Sequence, residues 1–499
     1  MADNPIRLEA PAAARKTVPS RPQSKSRQGA FARAAAPIVV GIGIALFPPP
    51  HGLPLNAWRY FALFAAVTVG IISEPIPAAA LGLVGVVLAA SSGLVYASTS
   101  QATLWSLSGF ANATVWLVFT AYIFSLGYSK TGLGKRIALL LIRAIGRRTL
   151  GLGYAVALAD LALAPFMPSN TARSGGTIFP IVRNIPELYG SLPNGESARK
   201  IGAYLMYTAL AVTCVTSSMF LTAIAPNVLA ADLALRAIHV TLSWTDWFKG
   251  FAPTGFLLLA IVPIVLYKIY PPETRQAPEA PRWAAEELRR MGPISRKEMT
   301  LLALVLLALV LWIAGAKYID ATIAAILVVT LMVILRVVSW NDILADTQAW
   351  NVLVWFATLV TLAGGLAETK FVDWVAESLR PALSQRGVVT AAVLLVGTFF
   401  LLHYLFASVT AHVSALFQVF LAVAITIPGT SHATWALLLS YPLGLMGILT
   451  PYGTGPSPIY YGCGYIKSRE FWILGLLLGL IFFVVYLLIE LPWLTFLKI

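Results

Sequence analysis

Apolar residues arrive in long runs separated by short polar breaks, from residue 34 to the C-terminus. The first four runs cover 34–50, 57–74, 78–98 and 112–129, and a basic stretch from Lys130 to Arg148 follows. A longer stretch at 150–182 comes next, then runs at 200–230 and 251–270. Beyond a break at 271–297, runs cover 299–315, 319–338 and 350–367, a second long stretch covers 388–427, and 433–465 and 470–494 close the chain. A helix needs roughly 20 mostly apolar residues to cross a bilayer. The pattern therefore predicts an all-α polytopic membrane protein. Its one real linker, PPETRQAPEAPRWAAEELRRMGPISRK, is Pro-rich and charged and separates a first half (34–270) from a second (298–499). Glu74 and Asp320 are expected to mark helix ends.

Composition agrees: 58% of residues are apolar and 11% charged, against about 25% charged in a soluble domain. The formal charge of +14 would suggest nucleic acid in a soluble protein. Here the cations sit in loops. With the N-terminus cytoplasmic and the two long stretches re-entering without crossing, 26 of 35 Lys and Arg lie inside, eight outside, and Arg173 within the membrane. That bias is the positive-inside rule, and it makes 271–297 a cytoplasmic linker in a bacterial inner membrane. Counting the long stretches as single spans scatters the charges. Residues 1–33 hold seven basic residues, with acids only at Asp3 and Glu9, and no apolar core suited to a cleavable signal. A basic, disordered cytoplasmic tail is expected, an organellar transit peptide being the alternative. Cys214 and Cys463 have no metal-ligand spacing, so neither a disulfide framework nor a metal or cofactor is expected.

The halves match each other. Val115–Ala138 aligns with Leu353–Ala376 at an offset of 238; Ser169-Asn-Thr-Ala-Arg173 aligns with Ser408-Val-Thr-Ala-His412 at 239; Thr222–Pro226 aligns with Thr454–Pro458 at 232. Three matches in one order indicate duplication. The second copy enters from the opposite side, an inverted repeat of the kind secondary transporters use.

Chemistry concentrates where helices must break. Pro168-Ser-Asn-Thr-Ala-Arg-Ser-Gly-Gly-Thr177 offers hydroxyls and an amide at a bend whose resuming helix presents a positive dipole end, which suits carboxylate. The run from Thr450 to Gly464 has three prolines and four glycines in fifteen positions and cannot be continuous helix. The broken helices are expected within 200–230 and 433–465. Arg173 and His412 stand four residues after their tip serines. A charged group in mid-membrane is functional by default, so Arg173 and a protonated His412 are candidates to neutralise a bound anion. The alternatives are an Arg173 that snorkels to the interface and a neutral, hydrogen-bonding His412. Asp160 and His403 on the hairpin arms fit structural hydrogen bonds or a proton relay. No GxxxxGK[ST], HExxH or GxSxG motif is present, which argues against ATP-driven transport and against a protease or lipase.

Three segments together resemble the divalent anion:sodium symporter family, in its citrate/succinate antiporter and plastid 2-oxoglutarate/malate translocator branch. They are Ser125-Leu-Gly-Tyr-Ser-Lys-Thr-Gly-Leu-Gly-Lys-Arg-Ile-Ala138, the tip Pro168–Arg173, and Thr450-Pro-Tyr-Gly-Thr-Gly-Pro456 with Ile459-Tyr-Tyr-Gly462. The resemblance implies eleven spanning helices, two re-entrant hairpins, a homodimer and an elevator-type motion. It also implies that Ser169, Asn170 and Thr171, with Ser408 and Thr410, contact substrate carboxylates beside the broken-helix residues Thr222, Pro226, Gly453, Thr454, Gly455 and Pro456. The second tip has Val409 where the family pattern has an amide, and Arg173 and His412 stand near the sites that hold sodium in coupled members. The expected function is exchange of di- or tricarboxylates such as succinate, citrate, malate, tartrate or 2-oxoglutarate. A sodium- or proton-coupled symporter on the same fold, and more remotely an intramembrane enzyme or channel, remain alternatives.

Overall fold

The computed structural model describes residues 27–73, 75–315, 317–383 and 387–497. Most of the expected tail and Glu74 lie outside the described residues. Helix α1 (Arg27–Leu46) begins inside the stretch read as tail, and α2 (Leu55–Ser73) and α3 (Ala78–Ser91) follow. Next come a short α4 (Thr99–Leu107), α5 (Ala113–Thr131) and α6 (Leu133–Ile145). Asn112 caps α5 by accepting the Val115 N–H, and α5 ends at Gly132, whose left-handed φ of 78° lets the chain turn directly into α6.

A helix buried on all sides reads as apolar all round, and α9 (Gly202–Met219) is that case: every one of its residues is buried. It lies inside a group formed with α7 (Thr149–Leu163) and α11 (Trp244–Ile269). The helices α2, α3, α5, α13 (Arg296–Ile313), α14 (Ala321–Ile334) and α16 (Thr347–Glu368) make a second group. Asp320 accepts the Thr322 N–H and caps α14, as expected of a helix-end acid. Among the described residues, six helices are long and apolar enough to cross a membrane: Leu55–Ser73, Thr149–Phe166, Trp244–Ile269, Thr347–Glu368, Val388–Leu405 and Ser468–Leu497.

The segment read as linker is partly helical. Glu279–Met291 (α12) buries Ala280, Ala284 and Leu288, spaced to one face, against α6. Lys135 of α6 pairs with Glu287 at 2.9 Å, and Arg136 pairs with Glu298 at the start of α13 at 2.6 Å. The Lys135 ammonium, by its hydrogen bond, holds the Glu287 carboxyl below the usual range. The linker thus straps α6 to the second half.

Two helix–break–helix segments fall within 150–182 and 388–427. In the first, α7 passes through a 3-10 turn (Ala164–Phe166) and resumes as a π-helical segment, Thr171–Ile178. In the second, α18 (Val388–Leu402) and α19 (Val409–Ala424) flank the turn His403–Leu405. Two further helices are interrupted. The first stops at Met219, runs through Phe220–Ile224 and restarts as α10 (Ala225–Ile238). Asn227 closes the break by donating to the Ser217 and Phe220 carbonyls at 2.7 and 3.1 Å. The second broken helix runs through α20 (His432–Ser440), α21 (Pro442–Leu445) and a turn to α22 (Ser457–Gly462), and α23 (Ser468–Leu497) ends the chain.

Candidate functional site

The two hairpin tips and the two breaks converge on one cavity of about 310 Å³. From the first tip come Pro168, Ser169, Asn170 and Thr171; from the second, Ala407, Ser408, Val409 and Thr410. The breaks add Ile224, Ala225, Pro226, Thr454 and Gly455. Of the thirteen residues expected at the site, this wall holds Ser169, Asn170, Thr171, Pro226, Ser408, Thr410, Thr454 and Gly455. Arg173, His412, Thr222, Gly453 and Pro456 stand behind it.

Local bonding explains how each side chain is held. The Ser169 hydroxyl accepts the Ala172 N–H at 3.2 Å, and the Asn170 amide donates to Thr454 at 2.8 Å and to Ser217 at 3.3 Å. A β-carbon at Gly455 would lie 1.7 Å from the Thr171 hydroxyl oxygen, so only glycine lets the second break meet the first tip this closely. Ser174 and Tyr460 share a further hydrogen bond at 2.9 Å. Thr222 donates to the Pro165 carbonyl at 2.6 Å and accepts from Trp244, which fixes the first break against its hairpin.

Arg173 is wholly buried. Its Nε donates to Asp160 at 3.1 Å, and one Nη donates to the carbonyls of Met167 and Ala223, both at 2.8 Å. The other Nη meets Ser217, Thr216 and Thr213 at 3.1–3.4 Å. Thr216 also donates to Asp160. Arg173 neither snorkels nor reaches the cavity: its charge is matched by Asp160 and its donors bind the tip to the first break. Asp160, thirteen residues earlier, has the structural partner expected of it.

His412 is equally buried but differently surrounded. It lies among Phe399, Phe406 and His403, with ring centroids 4.3, 5.0 and 5.2 Å away. Neither of its ring nitrogens has a hydrogen-bond partner among the described residues, so the core hydrogen bond considered for it is not seen there. His403 is bonded through Nε2 to the Gly453 carbonyl at 2.7 Å.

The opposite wall was not legible in the sequence. Ala78 begins α3, Tyr122 sits midway along α5, and Asn351, Val352 and Trp355 lie near the start of α16. Tyr122, Asn351 and Trp355 sit in otherwise apolar runs without a Pro, Gly or charge beside them, and Ala78 and Val352 are as apolar as their neighbours. To one side of the cavity α10 is joined to the start of α5. The Asn112 amide donates to Asp232 at 2.7 Å, and Asp232 accepts from Arg236 at 2.8 Å. Asp232 lies six residues beyond Pro226 on α10, about 9 Å at 1.5 Å per residue. No group of three or more His, Cys, Asp or Glu able to hold a metal occurs among the described residues.

Residues 28–499 match the family described as the sodium:sulfate symporter transmembrane region. The L-tartrate/succinate antiporters of Shigella sonnei (strain Ss046) and Escherichia coli (strain K12) are each 46% identical over 473 residues, covering 92% of this chain and 97% of theirs. The crystal structure of the Alcanivorax borkumensis YdaH transporter superposes with a TM-score of 0.54 at 16% identity, covering 80% of this chain and 89% of that one, a likeness of fold. Tips, breaks and whole-length similarity agree: the chain belongs to the sodium:sulfate symporter family, the divalent anion:sodium symporters.

Proposed function

We propose that this protein exchanges small dicarboxylates, of the L-tartrate and succinate class, across the bacterial inner membrane. The observation that carries this reading is the convergence of both tips on one cavity lined by hydroxyls and helix starts. Ser169, Thr171, Ser408, Thr410 and Thr454 supply short donors from both sides of it. The starts of α10 and α19 also line it, and helix N-termini favour anions. Such a pair of poles suits a ligand with a carboxylate at each end. The named activity of the tartrate/succinate relatives supports the same reading.

Arg173 acts through the tip, holding Met167 and Ala223 in place, while Ser169, Asn170 and Thr171 face the substrate. His412 stands behind the second tip, and Thr222, Gly453 and Pro456 shape the breaks. In the membrane the chain crosses eleven times with its N-terminus inside, and both hairpins re-enter. The cavity then faces the cytoplasm, since Ala78 and Asn351 begin helices that start on that side. The Asn112–Asp232 contact closes the outer side. Transport moves the hairpins and broken helices as a unit past the group holding α5 and α16, in a homodimer. Each outward step breaks the Asn112–Asp232 bond.

The test is uptake of labelled succinate into proteoliposomes, with or without internal L-tartrate, in sodium and in sodium-free buffer. Uptake that needs internal dicarboxylate and ignores sodium is expected. Accumulation in empty vesicles driven by a sodium gradient overturns exchange in favour of symport.

A further inference from the structure

A second cavity, about 560 Å³, opens where α5 ends, α13 begins and α14 turns into the short helix α15 (Trp340–Ala345). Its wall carries three cations, Lys130, Lys297 and Arg336, and one carboxylate, Asp342. Asp342 is fully engaged. It accepts from Lys130 at 2.5 Å and from the Ser339 N–H at 2.8 Å. The Lys130 ammonium and the Ser339 bonds hold its carboxyl down to about 2, so it stays ionised at neutral pH and cancels Lys130. Lys297 and Arg336 have no carboxylate partner among the described residues.

Arg336 is also held in an unusual backbone state. The α14 helix closes with Arg336 in the left-handed region, φ 57°, as the N–H of Val337 turns back to the Met332 carbonyl at 2.9 Å. Glycine is the usual residue at such a helix end, because a β-carbon is strained there. A turn alone would be better served by glycine. Positive-inside bias accounts for cations along this rim in general, but not for an arginine at a strained position facing a cavity. Apart from Ser339, the remaining wall is apolar: Val333, Val337, Val338 and Trp340. Trp340, Ile334 and Leu335 are more than half exposed beside it. Cationic pocket and apolar shoulder thus adjoin at the end of membrane helices.

We propose that this cavity binds the phosphate of an anionic phospholipid, with Lys297 and Arg336 on the headgroup and the acyl chains along Ile334, Leu335 and Trp340. Basic pockets between membrane helices on the cytoplasmic side are built for such headgroups. The site belongs to the α5–α13–α14 group and is independent of what the transporter carries.

The experiment is thermal unfolding of the detergent-purified protein with added cardiolipin or phosphatidylglycerol, with phosphatidylcholine, and with inorganic phosphate. Wild type should gain several degrees with the anionic lipids and little with the other two. Lys297→Gln/Arg336→Gln should lose at least half of that gain. Arg336→Gly separates folding from binding: with its strain relieved, it should unfold at or above the lipid-free wild-type temperature yet respond less to anionic lipid. An undiminished response in Arg336→Gly overturns the proposal. Equal protection by inorganic phosphate assigns the cavity to a free anion and overturns the lipid. Native mass spectrometry counts the bound lipid, which should fall by one per chain in the variants.

Discussion

The two hairpin tips carry aligned sequences, Ser169–Arg173 and Ser408–His412, and solve different physical problems. At the first, a buried arginine meets a buried carboxylate, two carbonyls and three hydroxyls, so that tip, arm and break form one bonded unit. At the second, the equivalent histidine sits in an aromatic cage with both nitrogens unpartnered. The first tip is also pinned to the opposite break through Asn170–Thr454 and the Gly455–Thr171 contact. The second has a serine cap, with the Ala411 N–H at 3.5 Å. Both tips line the same cavity, while the chemistry behind them differs.

The largest expected effect tests whether Arg173 is structural in this sense. Arg173→Gln leaves Asp160 charged, buried and without its cation, a loss of about 3–5 kcal/mol. Folded yield and unfolding temperature should fall sharply, and Asp160→Asn/Arg173→Gln should recover part of the loss. A folded, stable Arg173→Gln that merely fails to transport would return the arginine to direct contact with the anion. The next effect compares the tips as binding walls. Ser169→Ala and Ser408→Ala each remove a hydrogen bond to a charged ligand, about 1.5–3 kcal/mol, or roughly 10-fold or more in the KM for succinate counterflow. Similar losses at both tips support one ligand spanning them; a loss at one tip alone breaks the symmetry. The smallest effect belongs to His412. With no partner to lose, His412→Leu should keep stability within about 1 kcal/mol, while the KM rises several-fold. Destabilisation matching that of Arg173→Gln would erase the contrast between the tips.

Much of this was legible in the chain. Prolines and glycines in apolar runs mark the breaks at Pro226 and Thr450–Gly464, and the aligned tip sequences pair Ser169 with Ser408. Pairing was harder. Asp160 and Arg173 lie on opposite arms of one hairpin, and only the fold of the tip shows that the cation is already matched. Tyr122, Asn351 and Trp355 left no signal, because a polar or aromatic residue in a membrane helix looks the same whether it faces a cavity or a neighbouring helix. The helix in 271–297 was masked by its prolines, which sit at its start and flanks.

The Asp160–Arg173 pair has a consequence for voltage. In the motion proposed above, a bundle crossing the membrane with this pair inside carries no net charge from it, so a bound dianion travels with both of its charges uncancelled by that arginine. Moving two charges through the full potential is worth about 4.6 kcal/mol per 100 mV. In the exchange proposed above, a dianion moving the other way returns the same amount. One-for-one traffic of dianions then proceeds at no electrical cost, whatever potential the cell maintains.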